Sequence, residues 1–455
     1  MPQTKTKITL LGIGLLSIIA VIYTVFIHNP ANNVIRVEKA ILDNGMEIYV
    51  VPYDRAPTVT HMIWYRIGGA DEPNKKSGIA HLFEHLMFKA TKNYPAGAFS
   101  QKVAELGGQH NAMTSQDFTV YYQRIPKQHL ETVMSLEADR MVNLVLSEDD
   151  FQTEKNVVLE ERSLRVDSNP QALANEQISA RLYQDHPYSI PVIGWRDEIE
   201  NMPYEAAQTF YQNYYVPDQA IMVVVGDTTL ESVLTLAKKH FGSIPARKAK
   251  RPDRPVIDFT KPLKEKTPLT FTDPRFQQSI WQHRTRLMPF TNENEREMAA
   301  LTIGIQILGS GANSRLYSRL IRQDKTANYV NASLDPIGIN AAEIRLFAIA
   351  KNNDDLAKME QAIHEEVEQM RRSPPSKSEV SRAASVLASE NLYAMDGQSD
   401  MAFNFGYSLV LGTELDDLTN YPKMLFRISP QEVQDALSKH MDADQSVTAY
   451  LSSSK

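Results

Sequence analysis

Apolar residues recur along this chain with two periods, about 2 and about 3.6, and the two kinds of stretch are mixed without strict alternation. The period-two or continuously apolar runs are short. Residues 41–51 read as a hairpin around Asn44-Gly45, and 58–67 as a strand closed by Gly68-Gly69. Residues 119–124 and 219–225 read as further strands, the second ended by Gly226-Asp227. Helical spacing covers 77–88, 99–106, roughly 127–145, 148–165, 171–184, 204–214 and 230–241. Their ends carry ordinary signals: Gly107-Gly108, a Ser147-x-x-Asp150 cap, the break at Asp185-His186-Pro187, and Pro203 at a helix start. This order predicts an α+β fold rather than a βαβ series.

From 243 to 267 the pattern lapses into basic residues with Pro245, Pro252, Pro255 and Pro262, the composition of a linker. Beyond it the chain echoes itself. Ser279-Ile280-Trp281-Gln282-His283-Arg284 parallels Met62-Ile63-Trp64-Tyr65-Arg66, and each leads through a polar loop into a helix, the second containing 297–303. Two homologous domains are expected, 35–242 and 268–455, each a mostly antiparallel sheet packed with helices.

The 20 residues from 8 to 27 carry no charge, and a helix of that length spans about 30 Å, the thickness of a bilayer's hydrocarbon core. Lys5 and Lys7 stand before it, and the exit Val25-Phe26-Ile27-His28-Asn29-Pro30 has no small-x-small cleavage site. Residues 1–30 are therefore expected to be an uncleaved signal anchor with the body translocated, the alternative being a cleaved signal and a secreted or periplasmic body.

Composition narrows the chemistry. The 455 residues contain no cysteine, which excludes thiol catalysis, disulfides and thiolate-bound metals. A net charge of −7 argues against nucleic acid as a partner.

The helix at 77–88 reads Ser-Gly-Ile-Ala-His81-Leu-Phe-Glu84-His85-Leu-Met-Phe. At about 100° per residue, His85 lies about 40° around from His81, with Glu84 about 60° to the other side. Two imidazoles one turn apart can share a zinc ion, and the carboxylate between them can take a proton from a water on that ion. The motif is His-x-x-Glu-His, the inverted form of His-Glu-x-x-His. A catalytic zinc needs a third protein ligand, and helix 148–165 offers Glu154, Glu160 and Glu161. Glu154 and Glu161, seven apart, share a face; Glu160 points about 100° away from Glu161. Helix geometry leaves the choice among the three open.

His81-Leu82-Phe83-Glu84-His85 followed by Glu161 resembles the zinc peptidase family of pitrilysin, insulin-degrading enzyme and the mitochondrial processing peptidase β subunit. The text from Phe151 to Arg162 looks most like its short bacterial members. The resemblance implies one zinc per chain held by His81, His85 and Glu161, with Glu84 as the catalytic base and Glu154, seven residues before the third ligand, supporting the site. Asn111-Ala112 resembles the family segment that holds the substrate backbone beside a sheet edge. Arg322 and Tyr329 resemble a pair that holds substrate and the tetrahedral oxyanion. Between them Thr326-Ala327-Asn328 departs from the family's Gly-Leu-Ala. The implied activity is endopeptidase action on peptides or unfolded chains in a chamber closed by two chains. A homodimer is expected because both sets of residues stand on one chain. The alternatives are a heterodimer with a metal-less paralogue, or a membrane-tethered subunit that binds peptide with little catalysis.

Overall fold

The computed structural model describes residues 23–28, 34–248, 250–335, 338–414, 421–441 and 443–453. Among the described residues, twelve strands form two sheets. The strands of the first are β1 (Tyr23–His28), β2 (Val34–Ile41), β3 (Glu47–Pro52), β4 (Thr58–Tyr65), β5 (Gln109–Thr114), β6 (Thr119–Pro126) and β7 (Ala220–Gly226). Those of the second are β8 (Leu269–Thr272), β9 (Ile280–Leu287), β10 (Ala327–Asp335), β11 (Ala342–Ala350) and β12 (Ser446–Ser452). Helices α1 (Ile79–Leu86), α2 (Ala98–Glu105), α3 (Leu130–Asn143), α4 (Glu148–Arg162), α5 (Pro170–Tyr183), α6 (Arg196–Glu200), α7 (Tyr204–Tyr214) and α8 (Leu230–His240) come from the first half. Helices α9 (Glu295–Gly309), α10 (Leu356–Arg372), α11 (Lys377–Ala394), α12 (Gln398–Val410) and a last helix, Pro430–His440, follow.

The first sheet has the order β1-β2-β3-β7-β4-β6-β5 and the second β10-β11-β9-β12-β8. All neighbours are antiparallel except β3–β7 and β8–β12. Strand for strand, β3 to β7 therefore repeat as β8 to β12, including the single parallel pair, and β5 and β10 are the corresponding edges. The two-domain α+β expectation holds.

The chain forms two compact units, and neither is continuous. The first comprises Met1–Glu160, Pro191–Asp253 and Leu392–Thr419; the second comprises Glu161–Ile190, Arg254–Asn391 and Asn420–Lys455. The proline-rich stretch is divided between them at Asp253, and 250–258 has neither helix nor strand.

In the first unit the sheet is buried on both faces, which is why β7 reads Ala-Ile-Met-Val-Val-Val-Gly without a polar break. Ile48, Val50, Ile63, Tyr65, Tyr121, Met222 and Val224 face one core with α1, α3, α7 and α8. The alternate residues Tyr49, Val51, Met62, Trp64, Val120, Ile221, Val223 and Val225 face a second core. That second core is capped by α12 through Met401, Ala402, Phe405 and Leu409. A Cβ on Gly406 would lie 2.1 Å from Trp64 Nε1, so only glycine lets the helix come this close. Sequence reading had no place for this helix, because its partner strands lie more than 170 residues away.

Some expectations need correction. Gln109–Thr114 is a strand, an element the periodicity did not mark. Helix 148–165 ends as an α-helix at Arg162 and continues as a π-helical turn over Ser163–Asp167. Residues 8–22 of the expected membrane helix, and the tether 29–33, lie outside the described residues. Its last five, 23–27, belong to strand β1, which pairs with β2 from Tyr23–Lys39 to His28–Val34. No helix among the described residues is long and apolar enough to cross a membrane.

Candidate metal centre

Helix α1 is only eight residues long and starts at Gly78, whose φ of +86° supplies no side-chain cap. Its unsatisfied N-terminal amides are met from elsewhere. The Glu72 carboxyl accepts the N–H of Gly78 and of Ala80, each at 2.9 Å, and so satisfies two amides at the helix start. Burial pushes the Glu72 carboxyl well above the usual range, against the pull of those two bonds. One residue earlier, Glu198 of α6 accepts the Ser77 N–H at 2.8 Å, and Ser77 Oγ accepts the Trp195 N–H at 2.9 Å. A Cβ on Gly78 would meet the Ile193 carbonyl oxygen at 2.4 Å, so the loop before α6 lies directly on the helix start.

Ile79, Leu82, Phe83 and Leu86 bury one side of α1 in the core, with Phe83 against Phe210, Tyr211 and Tyr215. His81, Glu84 and His85 are left half-buried on the other side. The imidazoles are 4.9 Å apart between ring centroids. Helix α4 meets this side with its Glu154–Glu161 face, and Phe151 and Val158, on adjoining positions of the same side, are fully buried. Glu160 is exposed, which removes one of the three candidates that helix geometry left open.

One ligand atom from each of His81, His85 and Glu161 lies within 4.8 Å of the others; among the described residues this is the group of histidine and acidic side chains that could hold a metal ion. Two imidazoles and one carboxylate are a donor set that zinc takes in catalytic sites, so the residues present fit the metal. Glu154 Oε2 lies 3.2 Å from His85 Nδ1 and its Oε1 2.5 Å from Lys89 Nζ. With Nδ1 engaged, Nε2 is the nitrogen that His85 can present to a metal. The bond from His85 leads in holding the Glu154 carboxyl below its ordinary range, burial opposes, and Lys89 adds to the lowering. Arg165, one turn past Glu161, pairs with its Oε1 at 2.6 Å.

Glu84 Oε2 accepts a 2.6 Å hydrogen bond from the Thr114 hydroxyl of β5. Alternation along that strand puts His110, Ala112 and Thr114 on the face toward α1 and Asn111 on the opposite face. Asn111 is exposed, and its Oδ1 accepts the Ala112 N–H at 2.9 Å. His110 packs against Phe88 and Phe99 at 5.3 and 5.4 Å. Sequence reading missed Thr114, Lys89, Glu72, Glu198 and Arg165. Only Thr114 carried a usable signal: it lies two residues after Ala112 in the segment already singled out.

Arg322 and Tyr329 belong to the second unit. Arg322 lies in a π-helical turn, Tyr317–Gln323, with its guanidinium 5.3 Å from the Tyr317 ring. Tyr329 is 49% exposed on the edge strand β10, beside Phe347.

Residues 49–195 match the family described as Insulinase (Peptidase family M16), and 201–387 match the Peptidase M16 inactive domain. The chain belongs to the peptidase M16 family. It is 29% identical over 417 residues to the zinc protease PqqE of Helicobacter pylori, covering 91% of this chain and 92% of that protein. A probable mitochondrial-processing peptidase β subunit of Schizosaccharomyces pombe is 25% identical, with 90% and 87% covered. The crystal structure of a protease from Helicobacter pylori superposes with a TM-score of 0.84 at 27% identity, covering 92% of this chain and 99% of that one. Pitrilysin, at 20% identity and a TM-score of 0.77, shares the fold over 94% of this chain, which spans 46% of pitrilysin. His81, His85 and Glu161 all lie in the segment that matches Insulinase.

Proposed function

We propose that the chain is a zinc-dependent endopeptidase acting on peptides or unfolded polypeptides. The observation that carries this reading is the convergence of His81, His85 and Glu161 within 4.8 Å, with Glu84 on the same helix turn. When bound, zinc polarises a scissile carbonyl and brings the pKa of a water toward neutrality. Glu84 takes the proton from the attacking water and hands it to the leaving nitrogen. The Thr114 hydroxyl holds one oxygen of that carboxylate at 2.6 Å and so orients it. Glu154 fixes the ring orientation and tautomer of His85, and Lys89 fixes Glu154.

The exposed edge of β5 receives the substrate as an added strand, Asn111 and Ala112 supplying main-chain contacts. Arg322 and Tyr329 serve as the guanidinium and phenol that hold substrate and oxyanion. The chain works as a homodimer enclosing its substrates. The uncharged residues ahead of β1, behind Lys5 and Lys7, direct the body into a bacterial periplasm, as an inner-membrane anchor or as a cleaved signal.

The test is zinc analysis and cleavage of a quenched peptide library by the full chain and by Glu84→Gln. Zinc in both with cleavage by the first alone supports the reading. Zinc without cleavage by either favours a peptide-binding subunit, the reading suggested by the inactive-domain match over the second half.

A further inference from the structure

The proline-rich stretch after α8 contributes one side chain that reaches deep into the first unit. Arg251 Nε lies 2.8 Å from Asp71 Oδ1 and Nη2 3.0 Å from Asp71 Oδ2, a bidentate pair. The same Nη2 donates to the backbone carbonyl of Asp117 and lies 3.4 Å from its carboxylate. Asp71 and Asp117 are 2% and 0% exposed, so one guanidinium compensates two buried acids from separate segments.

Those segments are the two that support the metal helix. Asp71 accepts the Gly68 N–H at 2.9 Å, and the next two amides, of Gly69 and Ala70, donate to the Ser115 and Gln116 carbonyls at 2.9 and 2.8 Å. Loop 68–71 and turn 115–118 are thus stitched together, with Arg251 across the seam. The chain passes from Asp71 directly to Glu72, whose carboxyl caps α1. It enters the turn from Thr114, whose hydroxyl holds Glu84.

We infer that Arg251, although it touches neither the metal donors nor Glu84, is a positioning residue for both: it sets α1 through Asp71 and Glu72, and the Glu84 carboxylate through Asp117 and Thr114. The geometry demands a planar fork with several donors, which lysine cannot reproduce. The inference rests on the peptidase reading for its kinetic part only.

Arg251→Lys keeps a cation beside the two buried acids, which Arg251→Ala would remove. In the full-length Arg251→Lys variant, hydrogen exchange at the Gly69, Ala70, Gly78 and Ala80 amides should rise at least about tenfold, with β7 unchanged. Peptide turnover should fall about tenfold in kcat, KM staying within about twofold and zinc content at the wild-type level. Arg247→Lys, on the same stretch, should move neither quantity. Wild-type exchange at the four amides overturns the proposal. So does a kcat that falls only in proportion to folded, zinc-loaded protein. If the wild-type chain cleaves nothing, the peptidase reading fails, and the exchange result alone decides the role of Arg251.

Discussion

Helices α1 and α9 follow corresponding strands, β4 and β9, each built around a fully buried tryptophan, Trp64 and Trp281. What differs is what lies against the helix. The last helix, Pro430–His440, packs on α9 with Leu437 against Gly304, and Met298, Leu301, Ile303 and Ile305 of α9 are all buried in the apolar core. Helix α1 is half that length, and α4 brings it Glu154 and Glu161 instead of apolar side chains. One topology thus hosts an ordinary helix–helix core in one unit and an unfinished, polar seam in the other. Apolar burial stabilises the first by roughly 1.5–3 kcal/mol per large side chain. The second forgoes that gain and keeps its ionisable groups in place with caps, ion pairs and an eight-residue span.

The largest effect expected is at the seam. Glu84→Gln should lower peptide turnover by about 10²–10⁴-fold while zinc, measured by metal analysis, stays bound. Removing zinc with a chelator, or changing Glu161 to Gln, should abolish cleavage and lower the melting temperature, since a metal that binds only the folded chain stabilises it. Calorimetry with and without added zinc checks this; an unchanged melting temperature would deny that the seam holds metal. Glu154→Gln should weaken zinc binding by about 10–100-fold in a competition titration, through loss of the His85 contact.

The comparison also sets two glycines against each other. Gly78→Ala combines positive φ with a backbone oxygen 2.4 Å away, and should destabilise the protein by about 2–4 kcal/mol in urea unfolding. Gly304→Ala on α9 meets only the end of the Leu437 side chain, at 2.9 Å, and should destabilise by about 1 kcal/mol. Equal losses would mean that the seam is no more rigid than the apolar core.

A modest effect concerns acid. Burial raises the Glu47 carboxyl, but Lys39, Arg66 and Tyr49 overcome it and bring it from 4.5 down to about 2. A depressed carboxyl contributes stability that is fully present above its unfolded value near 4.5 and is lost as pH falls toward 2. Glu47→Gln should therefore flatten the stability–pH curve between pH 4.5 and 2, by about 1–2 kcal/mol in chemical unfolding, and change its slope little above pH 6.

Much of this molecule could be read from the chain alone. The hairpin at Asn44-Gly45, the buried strand β7, the helices α1 to α5, α7 and α8, and the second-half echo at Trp281 depend on patterns a few residues long. The candidate donors His81 and His85 were legible for the same reason, helix periodicity; Glu161, far along the chain, came from resemblance. Strand β5 was missed because Gln109-His110-Asn111-Ala112-Met113-Thr114 has too little apolar alternation to announce an edge strand.

Three things were decided only by tertiary structure. Glu160 is turned outward and Glu154 inward by the packing of Phe151 and Val158, which a helical wheel without a partner cannot orient. Helix α12 returns to the first sheet and Arg251 leaves the linker for Asp71 and Asp117, contacts that join residues more than a hundred positions apart. Local sequence determines which faces and donors exist, because helix and strand periods are properties of the backbone. Which faces meet, and which donor finds which acid, follows from burying both sides of a sheet at once, a condition that no single stretch of the chain contains.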